Sequence, residues 1–309
     1  MPQVFDEYNA KFEKKFEELK NLLTPEEYES ARASTPNAHY TSIEVINSIY
    51  SALQRLGFDA GRILEPAAGV GNFVGLMPRD ILNESRVTLV ELDSVSGRIA
   101  KRLYPMEDVR VQGYETVKIP DNYFDLAVSN VPFGNFPVHD PAYAKLVLPR
   151  SIHNYFFAKT VDKIRPGGLM AFITSRYTLD GEDTRLRQYL SDRADLVGAL
   201  RLPNTAFKKN AGTEVVTDII LLQRREDWQK PKDPSWIETT DRTLKGEPYS
   251  LNNYFVQHPD MMLGKPSMEG TMYRANEFTL KPTGDLPQQL AEAVSKLASG
   301  IYKTGVPAE

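Results

Sequence analysis

From Arg62 to Gln223 the chain alternates short apolar runs with amphipathic stretches, and this alternation restricts the fold more than any other feature. Runs at 62–64, 87–91, 109–111, 124–129, 169–174, 196–202 and 215–223 read as strands. Helical patterns at 94–103, 153–164 and 184–190 lie between them. A helix between consecutive strands carries the chain back to the same end of a sheet, so the strands run parallel and both faces are covered. The seventh run follows the sixth with no intervening helix and is expected to be antiparallel. The expected fold is α/β: a Rossmann-like, seven-stranded, mostly parallel sheet with N-terminal helices and a small C-terminal appendage.

The flanks read differently. Residues 5–23 form an amphipathic pattern, with Phe12, Phe16, Leu19 and Leu23 at helical spacing. Thr24-Pro25-Glu26-Glu27 is a capping box that opens a second helix. Thr41-Ser42-Ile43-Glu44 is another, ahead of Val45, Ile46, Ile49, Tyr50 and Leu53. After Arg225 the polar stretch 228–234 (WQKPKDP) connects to residues 249–258, a hairpin near 268–280 and a helix at 286–298. The expected organisation is an N-terminal helical segment at 1–41, an α/β domain at 42–225 and an appendage at 226–309.

The absence of cysteine excludes disulfides, thiolate metal sites, a cysteine nucleophile and the Pro-Cys chemistry of cytosine-C5 methylation. The four histidines are not paired at metal-ligand spacing, so no metal is expected. No run approaches the ~18 apolar residues of a membrane span. The N-terminus alternates charges with apolar residues, unlike a signal or transit peptide, which makes the cytoplasm the expected compartment. A net charge of −4 does not advertise nucleic-acid binding. A nucleic-acid partner would need a local basic strip or a larger assembly.

Three motifs carry chemistry. In Glu65-Pro66-Ala67-Ala68-Gly69-Val70-Gly71-Asn72-Phe73 a strand runs into a small-residue loop and then a helix. Gly69 and Gly71 suit a sharp turn against a ligand. The pattern also suits a nicotinamide-dinucleotide enzyme or a plain strand–helix turn, but Val74 stands where a dinucleotide fingerprint has its third glycine. Glu91, at the tip of the second strand, can accept hydrogen bonds from both hydroxyls of a ribose, with Leu92 against an adenine. Alternatively, Glu91 and Asp93 cap the next helix. At the end of the fourth strand stands Asn130-Val131-Pro132-Phe133.

The glycine loop resembles motif I of amino-methylating enzymes, and Asn-Val-Pro-Phe is close to the Asn-Pro-Pro-Phe/Tyr motif IV of enzymes that methylate planar amines. Together they resemble the γ-type adenine-N6 DNA methyltransferases, in particular methylase modules of helicase-fused phage and conjugative-element proteins. The resemblance implies S-adenosylmethionine as cofactor, the class I methyltransferase fold and a role in restriction–modification. It implies as partner duplex DNA with a flipped adenine, and a helicase or specificity module in the same or another chain. Asn130 and the Val131 carbonyl would accept the two amine N–H groups, Pro132 would stiffen the loop and Phe133 would stack on the base. Glu65, Pro66, Ala67, Gly69, Gly71, Asn72, Phe73, Glu91 and Leu92 would line the cofactor. Tyr40 and Thr41 resemble motif X, with the capping box at Thr41 as the alternative reading. Gln112 and Gly113 fall at motif III, where the family has an aspartate, and Val131 replaces the commoner proline. Residues 202–207 with Thr213 and Asp218 resemble the motif VIII segment. There Phe207 is a second stacking wall or a core aromatic, and Lys208, Lys209, Arg224 and Arg225 are phosphate contacts or a solvated rim. RNA or protein glutamine as acceptor, a non-catalytic module and a nicotinamide-dinucleotide enzyme remain the competing readings.

Overall fold

The computed structural model describes residues 2–34, 41–132, 138–143, 151–207, 215–270 and 277–304. Seven strands, β1 (Arg62–Glu65), β2 (Arg86–Glu91), β3 (Asp108–Val111), β4 (Phe124–Asn130), β5 (Ile164–Ser175), β6 (Ala194–Leu202) and β7 (Thr217–Arg224), form one sheet. Their order is β3-β2-β1-β4-β5-β7-β6. The pairs from β3 to β5 are parallel, whereas β7 is antiparallel to both β5 and β6, as its connection requires. The strand order reverses between β1 and β4, which opens a crevice beyond their C-terminal ends, the usual ligand position in such sheets.

The helices are α1 (Glu13–Leu22), α2 (Pro25–Ser34), α3 (Ile43–Arg55), α4 (Asn72–Gly75), α5 (Arg79–Asn83), α6 (Ser94–Leu103), α7 (Ile152–Lys163), α8 (Tyr177–Asp180), α9 (Arg185–Ser191), α10 (Asn253–Gln257) and α11 (Leu286–Ser295). Strand β4 is buried along nearly its whole length, and β7 along all of it, as expected of strands covered on both faces.

Three expectations are corrected. The helix expected over 5–23 is α-helical only in α1, because Asp6 and Asn9 accept hydrogen bonds from Tyr8 N and Lys11 N and turn the chain instead. Strand β5 starts five residues early and passes through Pro166-Gly167-Gly168 as an irregularity in its pairing with β4. Proline and two glycines conceal a strand from any reading of periodicity. The second capping box is shifted by one: Ser42, not Thr41, caps α3 by accepting from Val45 N. The first box forms as expected, with reciprocal Thr24 and Glu27 contacts.

Residues 226–304 add two hairpins, β8 (Thr239–Leu244) with β9 (Glu247–Asn252), and β10 (Lys265–Gly270) with β11 (Glu277–Lys281). The turn of the first has positive φ at Lys245 and Gly246, as a two-residue hairpin loop demands. Trp236, Phe255, Leu263, Leu290 and Leu297 join the hydrophobic core of the sheet. Helix α11 lies on α3, where Arg55 Nε donates to Leu297 O at 2.6 Å. The chain then straps past the start of β5, where the Arg165 guanidinium donates to Tyr302 Oη and Lys303 O.

Candidate active site

The glycine loop leaves β1 at Glu65 and enters α4 at Asn72. Gly69 and Gly71 both have left-handed backbones, φ 56° and 84°. A side chain at Gly71 would strike the Tyr104 ring at 2.4 Å, while the space over Gly69 is open. Two tyrosines pin the loop from below: Tyr104 Oη donates to Gly71 O and Tyr50 Oη to Phe73 O, each at 2.8 Å. These positioning residues escape a sequence reading because each lies more than twenty positions from its partner and in no motif. Phe73 is core, Asn72 begins α4 half-buried, and Leu92 stands 66% exposed beside the loop.

Two carboxylates face this loop. Glu91 Oε2 accepts from Gly69 N and Oε1 from Asp93 N, both at 2.7 Å, so Glu91 ties the tip of β2 to the glycine turn. Asp93, by contrast, caps α6 through Val95 N and Ser96 N. The two acids of this segment therefore have separate tasks. Glu65 is 2% exposed, and its Oε2 has no hydrogen-bond partner among the described residues. Burial first, and the nearby Glu91 charge second, hold its carboxyl well above the usual carboxylate range.

Asn130 ends β4 beside this loop. The preceding Ser129 Oγ donates to Ala67 O at 3.4 Å. Asn130 Nδ2 donates to Thr41 Oγ1 at 3.1 Å, which fixes the orientation of the amide. Because Ser42 supplies the helix cap, the Thr41 hydroxyl is available for this contact. Val131 N donates to Ile173 O at 3.1 Å, extending the β4–β5 ladder one residue past the strand. A proline there could not make that bond, so the valine stiffens the loop by a different means. Its side chain is buried and Pro132 is half-buried. Tyr40, Phe133, Lys208, Lys209 and Thr213 lie outside the described residues.

At the end of β3, Gln112 is exposed and Gly113 is buried, with the Glu115 carboxylate lying where a Gly113 side chain would be. The buried Lys159 ammonium donates to Tyr114 O at 2.8 Å and to Asp140 Oδ2 at 3.0 Å. It ties the segment after β3 to the one that follows the Asn130 loop. Phe207 is a core aromatic. Asp218 pairs with Arg201 and does not face the glycine loop through that contact. Arg224 and Arg225 are not the exposed rim expected of them: both are buried and paired, with Asp227 and Asp195 respectively.

No family model matches the sequence. Among curated proteins, the defense against restriction protein B of Escherichia phage P1 is 33% identical over 230 residues. That match covers 72% of this chain and 10% of the relative, so the chain spans about a tenth of the relative's length. Among solved structures, a Listeria monocytogenes protein assigned as a class I S-adenosylmethionine-dependent methyltransferase superposes with a TM-score of 0.55 at 18% identity. The superposition covers 75% of this chain and 80% of that one. The modification subunit assigned to a type I restriction enzyme of Vibrio vulnificus YJ016 superposes with a TM-score of 0.50 at 16% identity, over 88% of this chain and 63% of that one. The fold is therefore that of the class I methyltransferases, an α/β architecture with a seven-stranded mixed sheet.

The site fits the cofactor that the sequence resemblance implies. An open space over Gly69 admits a ligand, Glu65 offers a buried acceptor to a positive group, and Glu91 reaches the same loop.

Proposed function

We propose that this chain transfers a methyl group from S-adenosylmethionine to the exocyclic N6 amine of adenine in DNA. One observation carries the reading: Asn130, oriented by Thr41, stands at the end of β4 next to the glycine loop at Ala67. S-adenosylmethionine supplies an electrophilic methyl group on a sulfonium. The chain's own residues hold and aim. An aromatic amine is a poor nucleophile because its lone pair is delocalised into the ring. Asn130 Oδ1 and the Val131 carbonyl each accept one N–H, which draws the nitrogen toward tetrahedral geometry and directs its lone pair. This requires positioning and no strong base, and the surplus proton passes to water. Phe133 provides a flat surface for a base swung out of the duplex. Glu65, Pro66, Ala67, Gly69, Gly71, Asn72 and Phe73 form the cofactor loop, with Glu91, Leu92, Gln112 and Gly113 toward its nucleoside and Tyr40 and Thr41 closing the site. Residues 42–225 are the catalytic domain in this reading, with 1–41 and 226–309 as its flanks. A helicase or specificity module, in the same or another chain, would supply sequence reading. The name of the phage P1 relative supports a task at restriction sites, where a methylated base alters what an endonuclease meets.

The test is transfer of labelled methyl groups to DNA, RNA and protein, followed by digestion and mass spectrometry of the nucleosides. N6-methyladenine from DNA is the expected product. Label confined to RNA or to protein glutamine would move the acceptor, and cofactor binding with no label anywhere would leave a non-catalytic module.

Glu65 adds a prediction with a definite sign. Its raised carboxyl keeps a proton that the unfolded chain loses above about pH 4.3. Its contribution to stability therefore falls as pH rises from that value toward the folded one. A cation held against Glu65 expels the proton, so cofactor binding should release protons and tighten as pH rises. Calorimetry in two buffers of different ionisation enthalpy should detect that release in the parent and not in Glu65→Gln. An identical proton count in both would remove Glu65 from the cofactor site.

A further inference from the structure

At the opposite end of the strands from Asn130 lies a cavity of about 540 Å³. Its walls come from the bulge at Gly167 in β5, the end of β7, the 228–232 connector and the C-terminal strap at Ile301 and Lys303. The register locates it: Gln223 pairs with Leu169, and Leu169 with Leu126, four residues before Ile173 and Asn130. At about 3.3 Å per residue it is separated from the Asn130 end by roughly 13 Å of strand or more.

Its chemistry is one-sided. Five cations line it, Arg224, Arg225, Lys230, Lys232 and Lys303, against the carboxylates Asp195 and Glu226. Arg224 is paired with Asp227 at 2.7 Å and Arg225 with Asp195 at 2.9 Å, and Asp195 also lies 3.8 Å from Lys232, which leaves the lysines as the cations that face a ligand. Among the described residues the Lys230 and Lys303 ammonium groups have no partner, and both residues are exposed. Arg224 Nε, buried in the wall, also lacks a hydrogen-bond acceptor among them. Beside these cations Trp228 is 79% exposed, an indole that serves no core. A flat aromatic next to unpaired ammonium groups matches a base stacked over a neutralised phosphate, and the volume suits a ligand of nucleotide size.

We infer that this cavity binds a nucleotide unit, its base on Trp228 and its phosphate among Lys230, Lys232 and Lys303. The unit can come from single-stranded DNA or from a free nucleotide. The chain has two tryptophans, and Trp236 is buried, so quenching of tryptophan fluorescence reports on Trp228. The full chain, without methyl donor, is titrated with oligothymidylate of about ten nucleotides, with thymidine monophosphate and with inorganic phosphate. Saturable quenching by a nucleotide ligand is expected, weakening as salt rises and falling about tenfold or more in the double variant K230E/K303E. Because both lysines are exposed, that variant should keep the parent's circular dichroism and melting temperature. Trp228→Phe should abolish quenching while anisotropy of labelled oligonucleotide still shows binding. Tighter binding of the oligonucleotide than of the monophosphate assigns a DNA strand, and equal binding assigns a free nucleotide. Three results would overturn the inference: no saturation by either nucleotide ligand, inorganic phosphate competing as well as both, or undiminished binding by K230E/K303E. None of these bears on methyl transfer, so the inference and the proposed function fail independently.

Discussion

Asn130→Ala is expected to lower methyl transfer by roughly a thousandfold while the affinity for S-adenosylmethionine stays near that of the parent. The expectation follows from what the amide does in the proposed reaction: it accepts a hydrogen bond that strengthens as the amine gains positive charge. Removing one preorganised polar contact of this kind typically costs about a hundred- to a thousandfold in turnover. The alanine also loses the 3.1 Å contact with Thr41, so a control is needed. Thr41→Val removes that contact and keeps the acceptor, and should cost far less in turnover than Asn130→Ala. Glu91→Ala should show the reverse pattern. It breaks the ties to Gly69 and Asp93 and should weaken cofactor binding by about tenfold or more before it changes turnover at saturation. Single-turnover rates at saturating and limiting cofactor separate the two patterns. Equal losses in both variants, all in affinity, would mean that Asn130 belongs to the cofactor site and not to the acceptor.

Arg201→Leu should destabilise the molecule by about 3–5 kcal/mol. The Arg201 side chain is fully buried and makes two parallel bonds to Asp218, at 2.8 Å each, and one of 2.7 Å to Asp180. Its guanidinium lies over the Phe255 ring at 4.2 Å. Asp180 also accepts from Asn252 N, so this one arginine joins β6, β7, α8 and the end of β9. Its removal leaves the fully buried Asp218 facing no other cation at bonding distance among the described residues. For a chain of this size the melting temperature should fall by roughly 5–8 °C. The double variant R201L/D218L should recover most of the loss, because an apolar pair replaces Arg201 and Asp218 while Asp180 keeps Arg176 and Asn252 N as partners. A double variant no better than the single one would show that packing against Phe255, and not the ion pair, is what Arg201 provides.

The sheet was legible because its strands are short apolar runs separated by helices, and the antiparallel β7 followed from a missing helix. Long-range partners were not legible. Nothing local in Tyr50 or Tyr104 announces a bond to the glycine loop, and nothing in Arg201 or Asp218 announces a buried network. Thr41 shows the limit most clearly. Thr-Ser-Ile-Glu permits either of the first two residues to cap α3, and only the tertiary contact with Asn130 distinguishes them. Val131 reads only as a departure from proline, because a motif records the residue and not the ladder bond that its N–H makes with Ile173 O. Residues 226–304 look like an appendage because their apolar residues are sparse, yet Trp236, Phe255 and Leu297 are core. The hairpin β8–β9 was missed because only Leu251 and Asn252 of its two strands are buried, too few to print an alternating pattern.

A crystal structure with bound S-adenosylmethionine tests the central claim most directly. The donor is expected against Gly69 and Gly71, its ribose at Glu91 and its methyl group turned toward Asn130. A donor bound away from the glycine turn, or with its methyl group pointing away from the end of β4, would contradict the account.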